Sequence, residues 1–487
     1  MIEEIIQKAK KEDKKVYVYA HKFPDGDAIS SSCAVVQYLK SHGIDAKYIV
    51  THKIFSYPNL TADIPVTTSV EQDAISLLLD TSTISYAENK LFTKSRPDNI
   101  YVIDHHEKVK GGFCIEDELK LSPSHVIRNA EASSTCEIVA EEFKREKVTP
   151  QIANLLTLGL LTDTATLKFL KTDTLNHLAN LIEAGADYEA ILKLCDKKIK
   201  LKDEVGLAKV LLKTQKFPIG NTFGLICLCN QHQVNELVKQ YGIRNIQKKI
   251  FKMSDIDNCS FLCMGAENAP KQYDLEFRST STCGDFNVLT LATQYGGGGH
   301  YHASGCCCSP IIASSVNASI KEQATTLYTK QANHFSPHEP NEHDLSLSSI
   351  LNATNYLTSD ISPDLLRQVD ALIKQGANYE SMIKRSKSFS TFMLGNELLS
   401  KIPYSKVFDN NASVQIQLSP QDLSFLTQKY HVSEDDILPL ISIFRNVAIS
   451  SASIHLPNGK VSQIDKDGNI SISSIPTSIK RNHSILR

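Results

Sequence analysis

Through residues 1 to 190, short apolar runs alternate with segments of helical period. KKVYVYA, DAKYIVT, AISLLLD, NIYVIDHH and SHVIRNA are short, rich in β-branched and aromatic residues and bounded by polar turns, so they read as strands. Strands spaced by helices predict an α/β fold built on a parallel sheet with helices on both faces. Helix starts agree with that order. Ser134 and Glu137 have capping-box spacing ahead of IVAEEFKRE, and Thr149-Pro150 opens a helix that runs into LLTLGLLTDT. The opening stretch MIEEIIQKAKKEDKK alternates charge like a solvated helix.

The pattern changes after residue 190. Residues 191–215, with LKLCDKKIKLKDEVGLAKVLLK, are charged and helical in period, as a connector between domains would be. Within 216–330, FGLICLC, CSFLCMG and YDLEFRS read as strands with HQVNELVKQYG as a helix between them, predicting a second, smaller mixed α/β domain. Residues 331–346, QANHFSPHEPNEHDLS, are polar and aperiodic with two prolines, and read as a linker. The remainder, 347–487, returns to apolar periodicity.

Composition narrows the class. At 487 residues the chain exceeds one ordinary core, so two or three domains are expected. Its 41% hydrophobic content is that of a globular protein, and no run approaches the roughly 18 apolar residues of a membrane span. A cytoplasmic protein without a membrane partner is the expectation. A net charge of −2 gives no general attraction to polyanions, so a nucleic-acid partner would have to be met by a local site. Twelve cysteines, all before residue 309, do not form paired C-x2-C knuckles and read as reduced thiols.

The candidate chemistry sits where strands should run out. HKFPDGDAIS supplies His21, Asp25 and Asp27; AISLLLD ends in Asp80; NIYVIDHH ends in Asp104, His105 and His106; LLTDT carries Asp163 after a helix. In an open parallel sheet the strand C-termini share a crevice, so five aspartates and three histidines would converge. Bare carboxylates that close are tolerated only when some hold protons or cations sit among them. A carboxylate and imidazole set without thiolate suits manganese, magnesium or iron, and an aspartate shared by two ions would set them roughly 3.5 to 4 Å apart.

HKFPDGDA, LLLD, VIDHH and LLTDT, in that order, resemble the four motifs of the DHH phosphoesterase family, and LEFRS with GGGGHYHASG resembles the associated C-terminal domain of its nanoRNase and phosphoadenosine-phosphate phosphatase branch. The resemblance covers about residues 1–330. It implies two divalent ions, Mn2+ or Mg2+, with His21 and Asp25 on one, Asp27, His105 and Asp163 on the other, and Asp80 bridging. It further implies that His106 faces the substrate phosphate, that Asp104 orients a ligand, and that a hydroxide activated by both ions attacks.

The second domain is expected to hold the rest of the substrate. Gly296 to Gly299 would let backbone N–H groups approach a phosphate, His300 adds a donor or stacking surface, and Arg278 offers a planar fork; within this, Gly297, Gly298, Gly299, His300 and Arg278 are the candidate contacts. His302 reads as a surface or strand residue. Ala165 stands where similar proteins often have glycine, and Lys168 follows it; both bear on substrate preference.

Residues 372–384, LIKQGANYESMIK, match 181–193, LIEAGADYEAILK, at seven of thirteen positions with an offset of 191. SVQIQLSPQDLSFLTQKYHV then tracks FGLICLCNQHQVNELVKQYGI. Residues 347–487 are therefore expected to be a diverged copy of the connector and second domain; an unrelated α/β appendage is the rival. Chemistry is expected to be absent there, because ILNAT has no counterpart of Asp163 and ISISSIPTS lacks the arginine of LEFRSTS.

These features predict a hydrolase of phosphoric ester bonds acting on small nucleotides: a short single-stranded oligoribonucleotide, phosphoadenosine phosphate, or a dinucleotide. A manganese pyrophosphatase or exopolyphosphatase shares the first motif but not GGGGH, and a silent nucleotide-binding regulator is at odds with the intact ligand set. The sequence is also compatible with a homodimer.

Overall fold

The computed structural model describes residues 1–474 except 23, 51–56, 85–86, 88–89, 109–113, 172, 196–198, 271, 281–286, 309–312, 332–338, 384–387, 408–411 and 446. It divides into two compact units, each assembled from two separate stretches of chain: Met1–Asp196 with His338–Lys384, and Lys197–Pro337 with Arg385–Arg487. These limits cut across the expected domains, because residues 338–384 pack into the first unit and not with the rest of the tail. Among the described residues no helix is long and apolar enough to cross a membrane.

In the first unit, helix α1 (Ile2–Glu12) precedes strand β1 (Val16–Tyr19), helix α2 (Gly26–Ser41), and strands β2 (Ala46–Ile49), β3 (Val66–Thr67), β4 (Ile75–Leu79) and β5 (Ile100–Asp104). A short helix α3 (Ile115–Leu119), strand β6 (Val126–Arg128), α4 (Thr135–Glu142) and α5 (Pro150–Asp163) follow. The six strands form one parallel sheet in the order β3-β2-β1-β4-β5-β6. Every residue of β1, β4 and β5 is buried, as expected of strands covered on both faces. The two-residue β3 is too short to show any period in sequence. Helix α1 is not wholly solvated: Ile2, Ile5, Ile6 and Ala9, spaced i, i+3, i+4, i+7, bury one face in the core.

Two helix starts behave largely as the sequence predicts. Thr149 accepts a hydrogen bond from the Ile152 N–H with Pro150 in the first turn, opening α5. Ser134 accepts from the Glu137 N–H at 3.1 Å, but the Glu137 carboxylate accepts from Ser133 N–H and the Thr174 hydroxyl instead of returning to Ser134. The capping box is thus displaced by one residue.

After α5 the chain turns through Ala165, Thr166 and Leu167, all left-handed, while the Thr164 hydroxyl donates to Leu160 O and accepts from Leu167 N–H. The same construction recurs in the tail. Asn355, Tyr356 and Leu357 are left-handed, and the Thr354 hydroxyl donates to Ile350 O and accepts from Leu357 N–H. Helices Thr174–Glu183 and Pro363–Lys374 follow these turns and pack on one another. Their apolar residues share one core, in which Leu175, Leu178, Leu366 and Val369 are buried.

The second unit holds a six-stranded mixed sheet and a four-stranded one. In the first, Thr222–Cys229 runs parallel to Cys259–Ala269, which pairs antiparallel with Gln272–Ser279. In the second, Ser413–Gln417 runs parallel to Ser451–His455, which pairs antiparallel with Lys460–Asp465. The strand order and senses are the same. Each parallel pair is bridged by a helix with a capping box, Gln231–Tyr241 on Asn230 and Pro420–Tyr430 on Ser419, and each helix ends in a buried tyrosine followed by a left-handed residue. Within the expected connector, Leu201–Leu211 is helical and packs on Phe389–Ser400. Of the expected linker, 332–338 lie outside the described residues, whereas 342–346 already belong to helix Glu342–Ala353, capped by Asn341.

Candidate metal centre

The first sheet grows outward in both directions from the β1/β4 pair, so crossovers on either side leave for opposite faces and open a crevice at the strand C-termini. His21 follows β1, Asp80 follows β4, and Asp104 ends β5 ahead of His105 and His106. Helix α2 contributes Asp25, its N-cap, and Asp27 in its first turn. Asp163 is the last residue of α5, not a residue beyond it as expected.

Two groups meet at Asp80, and His106 Nδ1 also lies 3.6 Å from its Oδ1. His21 Nε2 lies 3.9 Å from Asp25 Oδ1 and 3.6 Å from Asp80 Oδ2. On the other side, His105 Nε2 lies 3.5 Å from Asp80 Oδ1 and 3.2 Å from Asp163 Oδ2. Ligand atoms of His21, Asp25 and Asp80 fall within 4.8 Å of one another, and so do those of Asp27, Asp80 and His105. Asp80 is common to both and turns one oxygen toward each. Its backbone is left-handed, with φ 52°, a conformation that aspartate tolerates better than most residues, and its N–H donates to Ile103 O.

Asp27 is fixed by the start of α4. Its Oδ2 accepts from Thr135 N–H at 2.7 Å and its Oδ1 from Cys136 N–H at 2.9 Å, using helix N-terminal donors that have no partner inside the helix. The Thr135 hydroxyl donates to Asp80 Oδ1. Two glycines let α2 and α5 come this close. A Cβ on Gly26 would lie 2.3 Å from Thr162 Oγ1, and one on Gly159 would lie 2.2 Å from Cys136 Sγ and 2.9 Å from Asp27 Oδ1.

Burial, reinforced by Asp25, pushes Asp27 up to about 6 despite the two N–H donors. Burial followed by the charges of Asp27, Asp25, Asp163 and Asp104 raises Asp80 well above the usual carboxylate range, and burial with Asp27 and Asp25 does the same to Asp163. Carboxylates crowded enough to raise one another in this way are relieved by positive charge placed among them. The donors are oxygen and imidazole nitrogen, so the residues present fit hard or borderline divalent ions.

Asp104 behaves differently. It is fully buried, yet the hydrogen bond from His106 and the charge of Arg128 overcome burial and hold it below the usual range. Asp104 Oδ1 meets His106 Nδ1 at 2.7 Å, and Oδ2 accepts from Arg128.

In the second unit the four glycines do not form a loose loop. Gly298–His300 is an edge strand paired with Ala303–Cys308. A Cβ on Gly297 would meet Gly305 O at 2.1 Å, and one on Gly299, at φ 133°, would meet Ala303 O at 2.5 Å, so packing demands glycine at both. Gly298 has open space around it. Arg278 lies opposite Ala303, and Ala303 opposite His300, which puts Arg278 and His300 on one face at the same level. The Arg278 guanidinium donates to Glu276 and to Phe277 O, and Ser279 Oγ lies 2.9 Å from His302 Nδ1.

The sequence did not point to Arg128, Thr135 or Gly159. Thr135 follows the obvious cap Ser134, and Gly159 stands inside an apolar helix, where glycine costs stability unless a close approach requires it. That mismatch was a usable signal.

Residues 15–160 match the DHH family, N-terminal domain. The cyclic-di-AMP phosphodiesterase PdeA of Listeria monocytogenes serotype 1/2a (strain 10403S) is 28% identical over 185 residues, 34% of this chain and 27% of that protein. The cyclic-di-AMP phosphodiesterase GdpP of Geobacillus thermodenitrificans (strain NG80-2) is 26% identical over 205 residues, 38% of this chain and 30% of its own. The chain thus spans less than a third of either curated relative. In fold, an exopolyphosphatase-related protein from Bacteroides fragilis aligns with a TM-score of 0.54 at 19% identity, over 67% of this chain and 98% of that one. With Asp80 between its two clusters at the sheet switch point, the stretch 15–160 is a DHH family N-terminal domain.

Proposed function

We propose that the protein is a divalent-metal-dependent phosphoesterase that hydrolyses phosphate esters of small nucleotides. The observation that carries this reading is Asp80, which presents one oxygen to His21 and the other to His105, as a carboxylate shared by two cations would. His21, Asp25 and Asp80 would hold one cation; Asp27, His105, Asp163 and Asp80 would hold the other. Two bound cations, manganese or magnesium, supply a lowered pKa for water and charge to offset a phosphate. The chain's own contribution is positional. Thr135 and Cys136 N–H groups aim Asp27, the Thr135 hydroxyl steadies Asp80, and Asp104 fixes the His106 ring that faces the phosphate.

Small nucleotides are favoured by the near-neutral charge, since a processive nuclease normally needs an extended basic track. Arg278, Gly297, Gly298, Gly299 and His300 are proposed as nucleotide contacts, supported by Arg278 and His300 sharing one face. The names of the curated relatives point to dinucleotides as the first substrates to try. Residues 347–487 are proposed to be a diverged copy without chemistry. Ala353, before Thr354, stands where Asp163 precedes Thr164.

The test is turnover, with manganese present, of a cyclic dinucleotide, a linear dinucleotide, phosphoadenosine phosphate and pyrophosphate by the full chain and by Asp80→Ala. Hydrolysis of one nucleotide by the wild type alone supports the reading. No turnover above the variant removes it, and preference for pyrophosphate moves the protein to the pyrophosphatase class.

A further inference from the structure

Arg128 is the last residue of β6, and strand register places it beside Asp104 at the end of β5. Its guanidinium is largely buried, with 11% of the side chain exposed, and nearly every N–H it carries is directed. Nε donates to Glu116 Oε1 at 2.9 Å and Nη2 to Glu116 Oε2 at 2.8 Å, a bidentate fork. Nη1 donates both to Asp104 Oδ2 and to the His106 carbonyl, the latter at 3.1 Å. The other oxygen of Asp104 faces the His106 ring and backbone N–H.

Glu116 aligns Arg128, Arg128 holds one oxygen of Asp104, and the other oxygen of Asp104 meets His106 Nδ1. The grip on the His106 carbonyl fixes the backbone as well as the ring.

We propose that Arg128, held by Glu116, is a positioning residue that sets the orientation of His106 through Asp104. This rests on the phosphoesterase reading above and assigns a role to two residues that hold no cation.

The experiment uses the full chain as wild type, Arg128→Ala, Arg128→Lys and Glu116→Gln. It measures manganese stoichiometry and affinity by calorimetry, and kcat and KM on the nucleotide the wild type hydrolyses, with and without millimolar guanidinium. For Arg128→Ala, manganese binding is expected to persist while kcat falls about 10- to 100-fold with little change in KM, and guanidinium restores part of it. Arg128→Lys keeps the charge without the fork and falls in between. Glu116→Gln, which leaves Arg128 in place, shows the smaller loss and serves if Arg128→Ala does not fold. Wild-type kcat in Arg128→Ala, or in both Arg128→Lys and Glu116→Gln, overturns the positioning role alone. Loss of manganese together with activity, without guanidinium rescue, overturns it in favour of a structural one. A wild type inert on every nucleotide overturns the phosphoesterase reading and this role with it.

Discussion

The Tyr379 hydroxyl donates to the Leu167 carbonyl at 2.9 Å, across 212 residues of sequence. Tyr188 makes the reciprocal bond to Leu357 at 2.6 Å. Both acceptors end a run of three left-handed residues, and both tyrosines are buried. Each segment therefore closes the other's turn.

If the two segments are equivalent, Tyr379→Phe and Tyr188→Phe should each cost about 1 kcal/mol, the net worth of a buried hydrogen bond. Urea unfolding of the two variants checks this. A large loss in one and none in the other would break the equivalence.

Ala165 holds φ 50°, where a Cβ costs roughly 1–2 kcal/mol. Ala165→Gly is expected to raise stability by about 1 kcal/mol, less than the full strain because glycine gains freedom when unfolded. Thermal unfolding with and without manganese measures it. The sequence had marked this position only as a departure from a common glycine.

Gly159→Ala should be felt at the centre, since its Cβ would press on Cys136 Sγ and on Asp27 Oδ1. The expected result is overpacking of about 1–3 kcal/mol together with a fall of about tenfold or more in manganese affinity. Calorimetric titration alongside a melt separates the two effects. Unchanged metal binding would mean that Asp27 is not held where the cation is needed.

Asp27, Asp80 and Asp163 are raised in the folded chain without cations. Raised carboxylates contribute stability that is complete below their unfolded pKa and is lost as pH climbs through the folded value, about 6 for Asp27. Chelation should therefore lower the melting temperature more at about pH 8 than at about pH 5. By the same linkage, manganese affinity should fall about tenfold per pH unit below 6 for each proton displaced. Equal effects of chelator at both values would disconnect the crowding from cation binding.

Much of this centre was legible because strand ends are local events. An apolar run that stops on Asp80 or on Asp104-His105-His106 announces its own position, and the shared crevice follows from parallel order. Arg128 was hidden because its meaning depends on which strand lies next to β5, and that is set by pairing across the sheet. The glycine run was read as a phosphate loop, whereas the close backbone of Gly305 and Ala303 makes two of its members packing requirements. The tail was legible as a likeness but not in its placement, since nothing local says that 338–384 and 385–487 join different units.

That interleaving imposes an order on synthesis. The first unit needs Pro363–Lys374 against Thr174–Glu183, so a nascent chain that has passed all six strands still lacks part of its wall until about residue 384 has left the ribosome. At roughly 5–20 residues per second the delay from residue 196 is about ten to forty seconds. Throughout it, Leu175 and Leu178 wait without their eventual neighbours, an interval in which a chaperone or a protease would find its opening.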